Sequence, residues 1–281
     1  MSRSESLLRR YAADMRSLLP GTAAGVMQLM YPQLGAGVEE HSDFFNEPFE
    51  RITRSVPQIW ATILTPEGTE RAHHIRDLHR GIGGVDARGR RYHALQPETF
   101  WWAHATFTWE IFRSVQFFHP ETLTVAEQQR LYDESVEWYE RYGVSTRPVP
   151  PNYAAFQAKF RHICTEVLEL TPSAARALHI AERGAGNLNV VPMAPDRLGR
   201  AAGVVLSPPL RLLTYGCLPE VVRDRFEIPW GNADSAAFAA MSTALAQGGR
   251  IVPNRMNHWG LRTALRVVGA GTRADRYRPA A

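Results

Sequence analysis

Cysteine is almost missing from this chain of 281 residues: Cys164 and Cys217 are the only two. Two thiols cannot build a disulfide framework or a thiolate zinc site, and they suit a reduced cytoplasm. Long apolar runs are missing too. None reaches the roughly 18 residues of a membrane-spanning helix. Arg3, Glu5, Arg9, Arg10, Asp14 and Arg16 interrupt the first twenty residues, so no secretory signal core is expected there. Nor is there a block of like charge. The 32 basic and 28 acidic side chains leave a net charge of +4, carried by scattered arginines. That argues against nucleic-acid binding, and a few arginines turned inward toward an anionic ligand would give the same total. The chain has neither a phosphate-binding glycine loop nor the G-x-S-x-G of serine hydrolases. The zinc spacing H-E-x-x-H and the clustered carboxylates of a di-iron site are lacking as well.

What is present is helical periodicity. Hydrophobic residues make up 44% and charged residues 21%, an ordinary globular balance. The spacing of Leu7, Leu8, Tyr11, Met15, Leu18 and Leu19 predicts a helix over 4–19. A second is expected over about 22–41, kinked at Pro32. Asn46 and Pro48 announce a third, with a bend at Pro57. A fourth is expected from Thr69 to Ile82, stopped by Gly83-Gly84, and 85–96 reads as a loop. Pro97 opens a strongly apolar helix to about Phe118, and Thr124 caps the next, to Tyr142. Further helices are expected over 153–168, 172–182, 208–218 and 236–246, with loop-like 184–195 and a loose polar tail from Thr272. The fold class is all-α. The domain reading is one helical domain over 1–281, with its core over about 20–165 and a helical extension over about 170–270.

Two histidines fall on apolar stripes. His79 shares a helical face with Ile75 and Ile82, with Arg76 a turn before it. Such a histidine is either an iron or haem ligand, with arginine answering a propionate, or a core histidine satisfied by a backbone carbonyl. His104 lies among Phe100, Trp101, Phe107 and Ile111. It either lines a cofactor pocket as an acid–base group or makes a structural hydrogen bond. Glu40, beside His41, is a candidate general base or a solvated helix end. Arg51, Arg54 and Ser55 suit an anion or a distal haem pocket, or an exposed face. His73 and His74 are expected to be exposed.

Five segments in order carry a resemblance: 25–42 (GVMQLMYPQLGAGVEEHS), 48–55 (PFERITRS), 75–79 (IRDLH), 92–97 (YHALQP) and 102–106 (WAHAT). Together they resemble the catalytic domain of MpaB-type oxygenases and latex-clearing rubber oxygenases. The resemblance implies a globin-like helical bundle around haem b. It implies that His79, in the Arg-x-x-His of Arg76 and His79, is the proximal iron ligand, that 51–55 is the distal helix and that Glu40 is the base. The site is then read as Arg76, Arg51 and Ser55 binding the cofactor, with Glu40, Arg54 and, from its place in the aromatic stripe, His104 serving catalysis. Arg54 stands where the rubber-oxygenase branch has lysine. A guanidinium offers iron no lone pair, so Arg54 is expected to shape the distal pocket. Tyr31 and Gly83 also replace residues of that branch, a histidine and an arginine.

The expected function is a haem-dependent oxygenase or oxidoreductase. Its partners would be O₂ and a small hydrophobic substrate, its location the cytoplasm and its pocket among the second to fifth helices; a homo-oligomer stays open. The alternatives are a non-catalytic haem carrier or sensor, or a helical protein without cofactor.

Overall fold

The computed structural model describes residues 5–42, 48–183 and 196–251, with 258, 259 and 263. Within them the fold is all-α apart from one small hairpin. The helices are α1 (Leu7–Ala12), α2 (Gly21–Met30), α3 (Pro32–His41), α4 (Pro48–Leu64), α5 (Gly68–Leu78), α6 (Pro97–Phe118) and α7 (Val125–Glu140). They continue as α8 (Tyr153–His162), α9 (Pro172–Arg183), α10 (Asp196–Cys217), α11 (Glu220–Arg225) and α12 (Asn232–Ile251). A 3₁₀ turn, Met15–Leu18, follows α1, and a π turn, Ile163–Val167, follows α8. No helix of the described residues is long and apolar enough to cross a membrane.

The 22-residue helix α6 is the axis of the core. It starts with Pro97 in its first turn, where a missing N–H costs nothing. Its Trp101, Trp102, Ile111, Val115 and Phe118 are buried. It packs against α1, α2, α3, α7 and α12, which is why it is apolar around most of its circumference. Three buried indoles each reach a hydrogen-bond acceptor, as buried Trp requires. Trp102 donates to Met27 O (3.1 Å), Trp60 to Ser17 Oγ (3.2 Å) and Trp138 to Thr62 Oγ1 (2.6 Å). α7 begins with a full capping box, Thr124 and Glu127 bonding each other's backbone.

The scattered arginines have a structural use. Arg9 donates to the carbonyls of Ile63 and Leu64 at the end of α4, and Arg223 to those of Tyr215 and Leu218 at the end of α10. Arg113, Arg141 and Arg225 donate to the carbonyls of Cys217, Thr62 and Cys164. Cations on the last carbonyls of a helix satisfy orphan acceptors and complement the dipole. These arginines serve helix ends, not an anionic ligand.

The structure departs from the sequence reading in several places. Pro32 breaks the chain into α2 and α3 instead of kinking one helix. Tyr31 turns extended (φ −77°, ψ 118°) because a residue before proline avoids the helical region. The first helix stops at Ala12 and resumes only as the 3₁₀ turn. α5 ends at Leu78 and not at Ile82, which makes His79 its C-cap. The expected glycine stop and the loop 85–96 together form an antiparallel hairpin, β1 (Gly83–Val85) with β2 (Arg91–His93), in register Gly84↔Tyr92. α10 begins twelve residues before Pro208, at Asp196, and runs through Pro208 and Pro209. α11 had no counterpart in the sequence reading. Asn46, the loop 184–195 and the tail from Thr272 lie outside the described residues.

Candidate functional site

The end of α5 meets the start of α6 through His79 and Phe100, and the hairpin meets the end of α3 through Tyr92 and Glu40. His79 closes α5. Its Nδ1 lies 2.7 Å from Ile75 O, one turn back. A carbonyl can only accept, so Nδ1 carries the proton and Nε2 is the basic nitrogen. The half-buried ring stands edge-on to Phe100 of α6, with centroids 6.3 Å apart and an interplanar angle of 89°. Phe100 in turn packs against Tyr139 (6.2 Å) and Tyr142 (5.4 Å). Both readings of His79 share the Ile75 bond; what they assign to Nε2 separates them.

Arg76 is engaged at both ends of its guanidinium. It donates from Nε to Asp77 (2.8 Å) and from Nη1 to Tyr142 O (3.1 Å). The second bond ties the last turn of α5 to the turn that follows α7. Gly143 (φ 62°) makes this approach feasible, since a Cβ there would lie 2.9 Å from Arg76 Nη1. His73 and His74 are exposed, as expected.

His104 lies one turn after Phe100 on α6 and is buried. Its Nε2 donates to Ser135 O at 3.0 Å, and Nδ1 has no protein partner among the described residues. Trp138 and Tyr139 flank the ring at 4.5 and 4.9 Å. Burial, only partly offset by the Ser135 bond, pushes its pKa down to about 3. The imidazole is therefore neutral at physiological pH. It lines a small cavity of about 10 Å³ with Trp101, Thr108 and Tyr132.

Glu40, at the end of α3, meets the hairpin. The Tyr92 hydroxyl of β2 donates a short hydrogen bond to Glu40 Oε2. Burial and the Glu40 carboxylate both raise the Tyr92 pKa, so the phenol keeps its proton. Gly84, opposite Tyr92, is needed for this contact. A Cβ there would lie 2.5 Å from Glu40 Oε2 and 2.8 Å from Tyr92 Oη. His41 Nε2 adds a bond to Gly83 O at 3.2 Å.

Ser55 is half-buried on α4, which packs along α5. Arg51 and Arg54 lie on the same helix at spacings of four and one from Ser55, and their side chains lie outside the described residues. Among the described residues, one cavity is lined by His104 and another lies between α6 and α12. Sequence reasoning gave no role to Tyr92, Phe100 or Gly84. The Gly-Gly pair facing a tyrosine across eight residues was the signal for the first contact.

The donor set distinguishes an ion from a macrocycle. Among the described residues, no three His, Cys, Asp or Glu side chains are grouped to hold a bare metal ion. Haem iron brings four nitrogens of its own and asks the protein for one axial imidazole. A single histidine whose Nδ1–H is fixed by a carbonyl fits that requirement.

Residues 9–247 match the family model described as ER-bound oxygenase mpaB/B'/Rubber oxygenase, catalytic domain. The chain belongs to this family. The match runs well past both ends of the 20–165 stretch suggested by the motifs and takes in α9 to α11 and most of α12. The family is one of oxygenases, and the all-α architecture agrees with the resemblance. No curated protein and no solved structure matches the chain.

Proposed function

We propose that this protein is a haem-b-dependent oxygenase of a small apolar substrate, with His79 as the proximal iron ligand. The observation that carries the reading is the 2.7 Å bond from His79 Nδ1 to Ile75 O at the end of the family's Arg-x-x-His segment. It makes Nε2 the nitrogen that would ligate iron and restrains the ring plane. Bound haem would supply the binding and activation of O₂.

The chain's own residues hold and shape that site. Phe100 sets the tilt of the His79 ring, and Arg76 anchors the turn that carries it. A propionate at Arg76 would share the guanidinium with Asp77. Arg51, Arg54 and Ser55 form the distal side, all three on one face of α4. Glu40 is the general base: Tyr92 occupies Oε2, and Oε1 takes the substrate proton. His104 acts through the aromatic cluster behind Phe100, because a group titrating near 3 does not exchange protons at neutral pH. The globin-like enclosure of haem, one domain, a cytoplasmic location, and O₂ with a hydrophobic substrate as partners belong to the same reading.

The test is an absorption spectrum of protein made with ample haem, followed by O₂ uptake with a panel of apolar alkenes and aldehydes. A Soret band and substrate-dependent uptake are expected. A band without uptake would make the protein a haem carrier or sensor. A missing band would leave a helical protein without cofactor.

A further inference from the structure

The excess of positive charge is not evenly scattered. Residues 250–278 hold seven arginines and a single acidic side chain, Asp275. The rest of the chain carries 27 acidic side chains against 25 basic ones, so the net charge of +4 comes from this stretch. The family match ends at residue 247, which leaves the stretch outside the matched residues.

Two apolar side chains stand uncovered here. Ile251, the last residue of α12, is 84% exposed. Trp259 is 68% exposed, whereas every other described tryptophan is buried or half-buried. Trp259 and Thr263 are helical, and Thr263 Oγ1 donates to Trp259 O, one turn back, at 2.9 Å.

Spacing then sets Trp259 beside arginines. Trp259, Arg262 and Arg266 follow at intervals of three and four, which is one stripe of a helix. Leu261, Ala264 and Val268 recur at the same intervals and belong to the opposite stripe. No Asp or Glu occurs from 250 to 274, so nothing within that run repels an anionic surface.

The residue types define the partner. The arginine fork bonds phosphate oxygens bidentately. Tryptophan suits the headgroup depth of a bilayer, where its ring is half in lipid and its N–H stays wet. Several arginines on an amphipathic segment are attracted by the negative potential of acidic lipids. A nucleic acid would also attract the arginines, but an exposed isoleucine has no ring to stack on a base, and it gains by entering lipid.

We propose that residues 250–278 bind the surface of anionic phospholipid membranes. Arg262 and Arg266 meet the phosphates, and Trp259 enters the headgroup layer between them. The proposal uses no residue of the haem reading and is tested without haem, so either can fail alone.

The test is co-flotation of the full chain with vesicles of phosphatidylcholine alone and of an equimolar mixture of phosphatidylcholine and phosphatidylserine. Saturable binding to the mixed vesicles is expected, with little to phosphatidylcholine. Salt at about 1 M should release the protein, because the Debye length then falls to about 3 Å. Arg262→Gln combined with Arg266→Gln should weaken binding about thirtyfold and leave the melting temperature unchanged. Tryptophan emission of the wild-type chain should shift to the blue on mixed vesicles, and that of Trp259→Phe should not. Equal binding to the two kinds of vesicle would overturn the proposal, as would full binding by the double arginine variant or an equal blue shift in Trp259→Phe. So would tighter binding to a DNA or RNA duplex than to the mixed vesicles at the same salt, which would make the stretch a nucleic-acid surface.

Discussion

The imidazole of His79 donates from Nδ1 to the carbonyl oxygen of Ile75, 2.7 Å away and one turn earlier in the same chain segment. The bond fixes the tautomer, and Phe100, perpendicular to the ring, fixes the tilt. Phe100 is 9% exposed and also supports Tyr139 and Tyr142. Phe100→Ala should therefore cost about 3–5 kcal/mol of stability and loosen haem binding. Phe100→Leu should retain most of both. Urea unfolding and haem titration of the two variants check this. Unchanged haem affinity in Phe100→Ala would mean that the ring does not position His79.

Glu40 and Tyr92 should be energetically coupled. Tyr92→Phe removes the donor and should cost about 1 kcal/mol, with a coupling to Glu40→Gln of similar size in a double-mutant cycle. Gly84→Ala drives a methyl into both partners and should cost about 1–3 kcal/mol. If the two single effects add without coupling, the hydrogen bond does not hold Glu40 in place.

Two buried histidines and one buried acid give opposite pH dependences. His104 and His119 titrate in the fold near 3 and 4, below their ordinary 6.5. Between about 6.5 and those values the unfolded chain binds more protons than the folded one, so stability falls as pH drops. Glu110, buried against Gly21 at the start of α2, is held well above 4.5 by burial alone. There the folded chain binds the extra proton, so stability falls as pH rises above about 4.5. Glu110→Gln should raise the melting temperature at pH 7–8 and change little near pH 4. His104→Phe should flatten the acid limb. Melting curves from pH 4 to 8 check both; a Glu110→Gln variant that melts lower at pH 8 would contradict the assignment.

How much of this could be read from residues alone follows from length and local chemistry. α6 was legible from end to end, because Pro97 marks its start and its aromatic stripe runs unbroken to Phe118. Thr124 announced α7 through its capping box. The hairpin was not legible. Strands of three residues carry too little alternation, and Gly83-Gly84 resembles a helix stop. Pro208 resembles a helix start, yet α10 runs through it. The apolar faces of His79 and His104 were visible as periodicity. Their partners were not, because Ile75 O and Ser135 O are backbone atoms with no residue signature. The arginines showed the limit of counting charge: several of them end on carbonyls.

The central claim is the bond from His79 Nε2 to haem iron, and chemical rescue tests it most directly. His79→Gly is purified with haem, and its Soret band is recorded before and after addition of free imidazole. The account predicts a weakened or missing band that imidazole restores toward the wild-type spectrum. A His79→Gly protein that keeps the wild-type spectrum without imidazole would contradict it.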